Sequence, residues 1–254
     1  MLVRIIGGSG GVCPGHFATS YLIDGTLLID AGSCANGIQI DEQAKIDNIL
    51  ISHPHLDHIK DLAFICDNCF GMKGKPFEVH TNKTISDSIS KYLLNDVIWP
   101  DFTKLPTQQN PTIRFNEIEV EKKIKLGDYT ITAIPVNHPC DAIGFIIERG
   151  NSAIVFTQDT APTEKIWKFA KQTENVKAIF TEVSFPNSLK QVAVDSQHHT
   201  PDSMKEEILK MPPSVPIFLG HLKPNFHSKL YEEIALIGSD RVTILGTNDQ
   251  TFVF

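Results

Sequence analysis

Four metal-ligating side chains crowd into six residues of this chain, His53-Pro-His-Leu-Asp-His58, and no other feature restricts its fold so tightly. The cluster follows an apolar stretch, Ile49–Ser52, and precedes Ile59, Leu62, Ala63 and Cys66 at helical spacing. That pattern predicts a strand, a loop carrying the histidines, and then a helix. His138 and His221 also follow apolar strands, and Asp30, Asp57 and Asp159 stand at similar strand-end positions. Loops at strand ends are where a rigid scaffold presents functional groups. Neutral imidazoles mixed with carboxylates suit divalent zinc, iron or manganese.

The rest of the chain reads as short strands and helices. Leu2–Ile6 is an apolar run ending in Gly7-Gly-Ser-Gly-Gly11. Thr19–Ile23 and Thr26–Asp30 flank Asp24-Gly25, a strong hairpin signal. Residues 67–112 are irregular, punctuated by glycine and proline, with one helix expected over about 84–94. Further strands are expected at Ile113–Lys125, Tyr129–Val136, Ile143–Glu148, Ser152–Thr157 and Val176–Glu182, with late ones at Val215–Leu219 and Arg241–Leu245. Helices are expected at Pro162–Lys171, from the N-cap Thr200-Pro201, and over Ser228–Gly238. No repeat or linker interrupts the pattern, so residues 1–254 read as one domain with an insertion at about 67–112.

Composition removes several classes. An apolar fraction of 41% and a charged fraction of 21% are ordinary for a globular chain and exclude disorder, collagen and coiled coil. A net charge of -7 lacks the basic footprint of a polynucleotide binder, so nucleic acid is an unexpected partner. No apolar run reaches the ~18 residues of a membrane span. The N-terminus has no basic, then apolar, leader pattern, and five cysteines are an odd number. Reduced thiols in a cytoplasm are the expectation. Cys66-Asp-Asn-Cys69 is a lone pair without the second pair of a four-cysteine zinc site, and reads as buried thiols near a helix end.

Taken together, His53-x-His55-x-Asp57-His58, Leu28-Ile-Asp30-Ala-Gly32, Asn137-His-Pro, Phe156-Thr-Gln-Asp-Thr160 and Leu219-Gly-His-Leu222 resemble the metallo-β-lactamase superfamily in motif and order. The resemblance covers the whole chain. It implies an α/β (α+β) fold, a four-layer αββα sandwich with a dinuclear metal site at one edge. It assigns His53, His55 and His138 to one metal, Asp57, His58 and His221 to the other, Asp159 as the bridge, and Asp30 as support behind the ligands. Two divalent ions, zinc before manganese or iron, are the implied cofactors. Their charge exceeds that of Asp57, Asp159 and a bridging hydroxide by about one unit, which suits a phosphodiester monoanion. Coordination also lowers the pKa of water toward ~7. Asp159 stands where true β-lactamases carry cysteine, which argues against antibiotic hydrolysis.

Thr181-Glu182-Val-Ser-Phe185, Gln197-His-His-Thr-Pro201 and His221-Leu-Lys-Pro224 resemble the phosphodiesterase branch, namely the class II cyclic-nucleotide phosphodiesterases and more distantly RNase Z. The implied reaction opens a 3′,5′-cyclic nucleotide, cAMP or cGMP, to its 5′-monophosphate by metal-hydroxide attack. Asp57 counts among the catalytic residues. His199 is expected to protonate the leaving oxygen with Glu182 orienting it, and His198 to lie exposed. An RNA 3′-end endonuclease or a hydrolase of another small ester is the alternative. A di-iron oxidoreductase would need a flavin domain for which the length leaves no room. Ser9 and Gly10 are expected to offer backbone N–H groups to phosphate. Trp99 and Phe102 are expected to stack on the base, and the insertion offers a surface for a homodimer. Asp61 departs from the small residue usual after the metal loop, which questions packing there.

Overall fold

The computed structural model describes residues 1–246 and 249–254. Its architecture follows from strands that are apolar on both faces. In β10 (Ser152–Phe156), Ile154 and Phe156 join one apolar cluster and Val155 joins another. In β11 (Val176–Glu182), Ala178 and Phe180 face the first cluster and Ile179 the second. A strand buried on both faces must lie between two packed layers.

The first sheet orders its strands β14 (Gln250–Val253), β1 (Leu2–Gly7), β2 (Ser20–Ile23), β3 (Leu27–Ile29), β4 (Asn48–Leu50), β5 (Phe77–Thr81) and β6 (Ile113–Glu117). The second runs β13 (Val242–Ile244), β12 (Ile217–Gly220), β11, β10, β9 (Ala142–Arg149), β8 (Tyr129–Val136) and β7 (Lys123–Leu126). Aromatic rings lock the two together. Tyr21 on β2 lies 5.5 Å from Phe156 and 5.8 Å from Phe180, and Phe218 on β12 lies 4.6 Å from Phe252 on β14. Each such buried ring removes apolar area worth roughly 2–3 kcal/mol.

Helices cover the outer faces. On the first sheet, α3 (Leu56–Asn68) buries Ile59, Leu62, Ile65 and Cys66, and α4 (Lys83–Tyr92) buries Ile85 and Ile89. The short α1 (Cys34–Gly37) and α2 (Ile40–Gln43) precede them. On the second sheet, α5 (Lys165–Gln172), α7 (Pro201–Ile208) and α8 (His227–Ala235) contribute Trp167, Met204 and Leu230 to the other cluster. The remaining helix, α6 (Lys190–Asp195), precedes the His198-His199 loop. The expected αββα sandwich is what forms. Among the described residues, no helix is long and apolar enough to cross a membrane.

Several local expectations are corrected. Ile113–Lys125 is two strands, because residues 118–122 carry the chain from one sheet to the other, with Glu121 left-handed at φ +64°. The stretch 67–112 is not wholly an insertion. Phe77, Val79 and Thr81 point inward, and β5 pairs between β4 and β6. Gly74 and Pro76 just ahead of it made it read as loop. The Asp24-Gly25 turn does form, with both residues at positive φ and Thr26 N–H donating to the Ile23 carbonyl.

Candidate metal centre

Six strands deliver their C-terminal ends to one edge of the sandwich. Asp30 follows β3, His53 follows β4, His138 follows β8, Asp159 follows β10, Glu182 closes β11 and His221 follows β12. His55 is the N-cap residue of α3, which places Asp57 and His58 in its first turn. Asp30, Gln158 and His221 are left-handed, with φ of +53°, +54° and +59°. Each such non-glycine residue costs on the order of 1–3 kcal/mol and persists only where its surroundings hold it. Here Asp30 N–H donates to Leu50 and His221 N–H to Gly8.

The donor atoms converge in two overlapping sets. His53, His55, His138 and Asp159 form one group, Asp57, His58 and His221 another. Asp159 joins them. Its Oδ2 lies 3.6 Å from His53 Nε2, 3.4 Å from His58 Nε2 and 3.9 Å from His138 Nε2, while its Oδ1 lies 3.3 Å from His221 Nε2. His221 Nε2 is also 3.4 Å from Asp57 Oδ2 and from His58 Nε2. Such spacings are long for hydrogen bonds but match the ~3.3 Å edge of a tetrahedron with ~2 Å metal bonds. His53 Nε2 and Asp159 Oδ1 are buried without a hydrogen-bond partner, a costly arrangement in protein alone and a natural one for metal ligands. The residues fit divalent metal.

The opposite ring nitrogens are held from behind, as metal-ligating histidines require. His58 Nδ1 donates to Asp30 Oδ2 at 2.6 Å. Ser52 Oγ donates to the same carboxylate and lies 2.9 Å from His53 Nδ1. His138 Nδ1 donates to the Gln197 carbonyl at 3.2 Å, and His55 Nε2 lies 3.8 Å from Cys140 Sγ. His221 Nδ1 donates to Ser184 Oγ at 2.8 Å, and Ser184 donates onward to Glu182 Oε2. Ser52 and Ser184 were not anticipated. Their only signal is position, one immediately before His53 and the other two residues after Glu182.

Charge follows burial. Burial pushes the Asp159 carboxyl up, but His221 and His58 outweigh it and hold it well below the carboxylate range. Burial, helped by neighbouring histidines and opposed by Asp159, lowers His53 far below its usual value and brings His138 down to about 4, keeping both neutral as ligands must be. Burial opposes a proton on His198, yet the Glu182 carboxylate raises it.

That last pair is a correction. His198 is buried, not exposed, and its Nδ1 lies 2.8 Å from Glu182 Oε1. Its ring stacks on His221 at 5.3 Å, and one of its nitrogens lies within 4.8 Å of donor atoms of Asp159 and His221. His199, expected to face Glu182 with its ring, turns the other way. Only its backbone N–H reaches Glu182, while its Nδ1 lies 2.9 Å from Ser203 Oγ beside the N-cap of α7.

The expected substrate contacts are also revised. Ser9 N–H donates to Phe17 and Gly10 N–H to Leu222, so neither is free to hold phosphate. Gly10 instead lets the loop touch a metal ligand, since a Cβ there would lie 2.7 Å from His221 Nδ1 and closer to its carbonyl oxygen. Phe102 is 3% exposed and packs on Phe70, which leaves no face for a base. Trp99 is half-buried and packs on Phe64. Asp61 does not disturb packing. It is buried and accepts the Ala35 N–H at the start of α1. Cys66 and Cys69 are buried free thiols.

Residues 26–221 match the family described as beta-lactamase superfamily domain. A probable 3′,5′-cyclic-nucleotide phosphodiesterase from Yersinia pestis is 25% identical over 88% of this chain and 78% of its own length. Among solved structures, unliganded yeast PDE1 is similar with a TM-score of 0.83 at 15% identity, over 96% of this chain and 97% of that one. The short form of human tRNase Z is similar with a TM-score of 0.70, also at 15% identity, over 100% and 99%.

Proposed function

This chain belongs to the beta-lactamase superfamily, and we propose that it is a dinuclear metal-dependent phosphodiesterase that opens a 3′,5′-cyclic nucleotide to the 5′-monophosphate. His53, His55 and His138 would hold one divalent ion, Asp57, His58 and His221 the second, with Asp159 shared and zinc the best match to the imidazole-rich donor set. When bound, such ions lower the pKa of water toward ~7 and neutralise charge on phosphoryl oxygens.

The observation that carries the reading is the buried His198–Glu182 pair set against this ligand cluster. Hydrolysis of a diester must deliver a proton to the leaving oxygen. With Nδ1 held by Glu182, His198 keeps Nε2 for that proton, and the carboxylate favours the charged ring. Ser184 ties Glu182 to His221, so proton donor and metal ligand are fixed by one network. Asp30 holds His58 directly and His53 through Ser52.

A small substrate is favoured by the net charge of -7. The Yersinia pestis relative supports a cyclic nucleotide within that class. Five free cysteines suit a reducing cytoplasm. The test is turnover of cAMP, cGMP and a precursor tRNA by metal-loaded protein, with products separated by chromatography. AMP or GMP is expected, with little of the steep salt dependence of polynucleotide binding. Cleavage of the tRNA without turnover of either cyclic nucleotide would replace this reading with an RNA 3′-end nuclease.

A further inference from the structure

A cavity of about 500 Å³ opens beside His138 and His198, large enough for a nucleoside. Val136, Ala161 and Pro162 supply apolar wall from the ends of β8 and β10, and Ala193 and Val194 supply it from α6. Among the described residues, no aspartate or glutamate lines it, and Lys190 is its one lysine or arginine. The cavity therefore suits a flat, uncharged ring attached to an anion held at the metal ligands.

Gln197 lines the same cavity, just past the C-terminal end of α6. Its backbone is left-handed, with φ +55°, where glycine or asparagine would be less strained. Its side-chain carbonyl oxygen Oε1 is buried with no hydrogen-bond partner. The backbone role, accepting from His138 Nδ1, would be served by any residue. The left-handed backbone closes α6, with Gln197 N–H donating to Val194 and His198 N–H to Ala193, so the orphaned side-chain carbonyl is what the protein alone leaves unexplained. A buried acceptor without a partner is costly, and a turn of the amide into the cavity lets a ligand N–H remove that cost. A primary amide offers an acceptor beside a donor, the pattern that pairs with an amino group next to a ring nitrogen on a purine edge.

We propose that this cavity is the nucleobase subsite and that Gln197 is its specificity-determining residue, reading the base edge through its side-chain amide. The inference rests on the phosphodiesterase reading for the anion that the metal ligands receive, but it concerns a different part of the ligand.

The test compares binding of AMP and ribose 5-phosphate by calorimetry to metal-loaded wild type, Gln197→Gly and Gln197→Asn. Gln197→Gly relaxes the backbone and keeps the carbonyl that holds His138. Gln197→Asn keeps an amide that is one methylene too short. Both variants should weaken AMP about tenfold, the loss of one or two neutral hydrogen bonds. Ribose 5-phosphate should change less than twofold. Equal weakening of both ligands would overturn the proposal and leave Gln197 acting only through His138. Unchanged AMP binding, or a wild type that binds AMP no better than ribose 5-phosphate, would also overturn it. Turnover of bis(p-nitrophenyl) phosphate by the wild type is measured alongside. Its absence would refute the phosphodiesterase reading while the binding comparison still decides the subsite.

Discussion

Replacing His198 by asparagine removes a titratable proton with little change of shape. The side-chain amide can still donate to Glu182 Oε1, now 2.8 Å from His198 Nδ1, so the buried carboxylate keeps a partner. Stability should therefore change little, whereas alanine would leave Glu182 with Ser184 and backbone N–H groups alone. Loss of a general acid typically costs 10²–10⁴ in kcat, or roughly 3–5 kcal/mol of transition-state stabilisation. That range is expected for cAMP. It should shrink toward tenfold for bis(p-nitrophenyl) phosphate, whose phenolate leaves without a proton. His199→Asn is the control, because the His199 ring points to Ser203 and away from Glu182. Its kcat should stay within about threefold of wild type, and any effect should be on stability. Steady-state rates on both substrates, with metal content by elemental analysis, separate these outcomes. A near-normal rate for His198→Asn with metals retained would refute the assignment, as would equal losses for the two histidine variants. Loss of metal from His198→Asn alone would mark His198 as a ligand instead.

Gly10→Ala should push a methyl into His221 and lower metal affinity about 10–100-fold without unfolding the sandwich, as read by competition with a chromophoric chelator. Asp24 ties the β2–β3 turn to the second sheet, accepting from Leu2 N–H, Tyr129 hydroxyl and Arg149. Burial pushes its carboxyl up, but these partners outweigh it and hold the folded value below the ordinary one. Its stabilisation is thus present above the unfolded value of ~3.9 and lost as pH falls through the folded one. Asp24→Asn should cost about 1–3 kcal/mol at pH 7 in urea titrations, and the gap to wild type should close as pH falls through the lowered folded value. A gap that stays constant with pH would contradict that sign.

The ligand set was legible because its signal is dense and chemical. His53, His55, Asp57 and His58 sit in six residues, and His138, Asp159 and His221 each follow an apolar run. Doubly buried strands such as β10 and β11 announced a layered fold by their continuous apolar runs. What failed was single-residue register. Adjacent side chains outside a helix point to opposite sides, so choosing between His198 and His199 required knowing how the chain enters α7. The cap formed by Thr200 and Ser203 draws the His199 ring toward the helix and leaves His198 to Glu182. Ser52 and Ser184 carried no spacing signal, because a serine that holds a ligand looks like any serine at a strand end. The strand β14 was missed since only Phe252 and Val253 in it are large and apolar. Ser9 and Gly10 looked like a phosphate cradle because glycine-rich turns often leave N–H groups free. Here those groups are spent on Phe17 and Leu222.

Everything proposed about catalysis depends on two metal ions sharing Asp159. Elemental analysis of the wild type, purified without chelator, loaded with zinc or manganese and freed of excess metal, addresses this directly when run beside Asp159→Ala. Two divalent ions per chain are expected in the wild type, with two resolved binding events by calorimetry. Asp159→Ala should retain no more than one weakly held ion, since Oδ2 faces His53 and His138 while Oδ1 faces His221. A wild type that saturates at one ion, or an Asp159→Ala variant that still holds two, would contradict the shared-carboxylate centre.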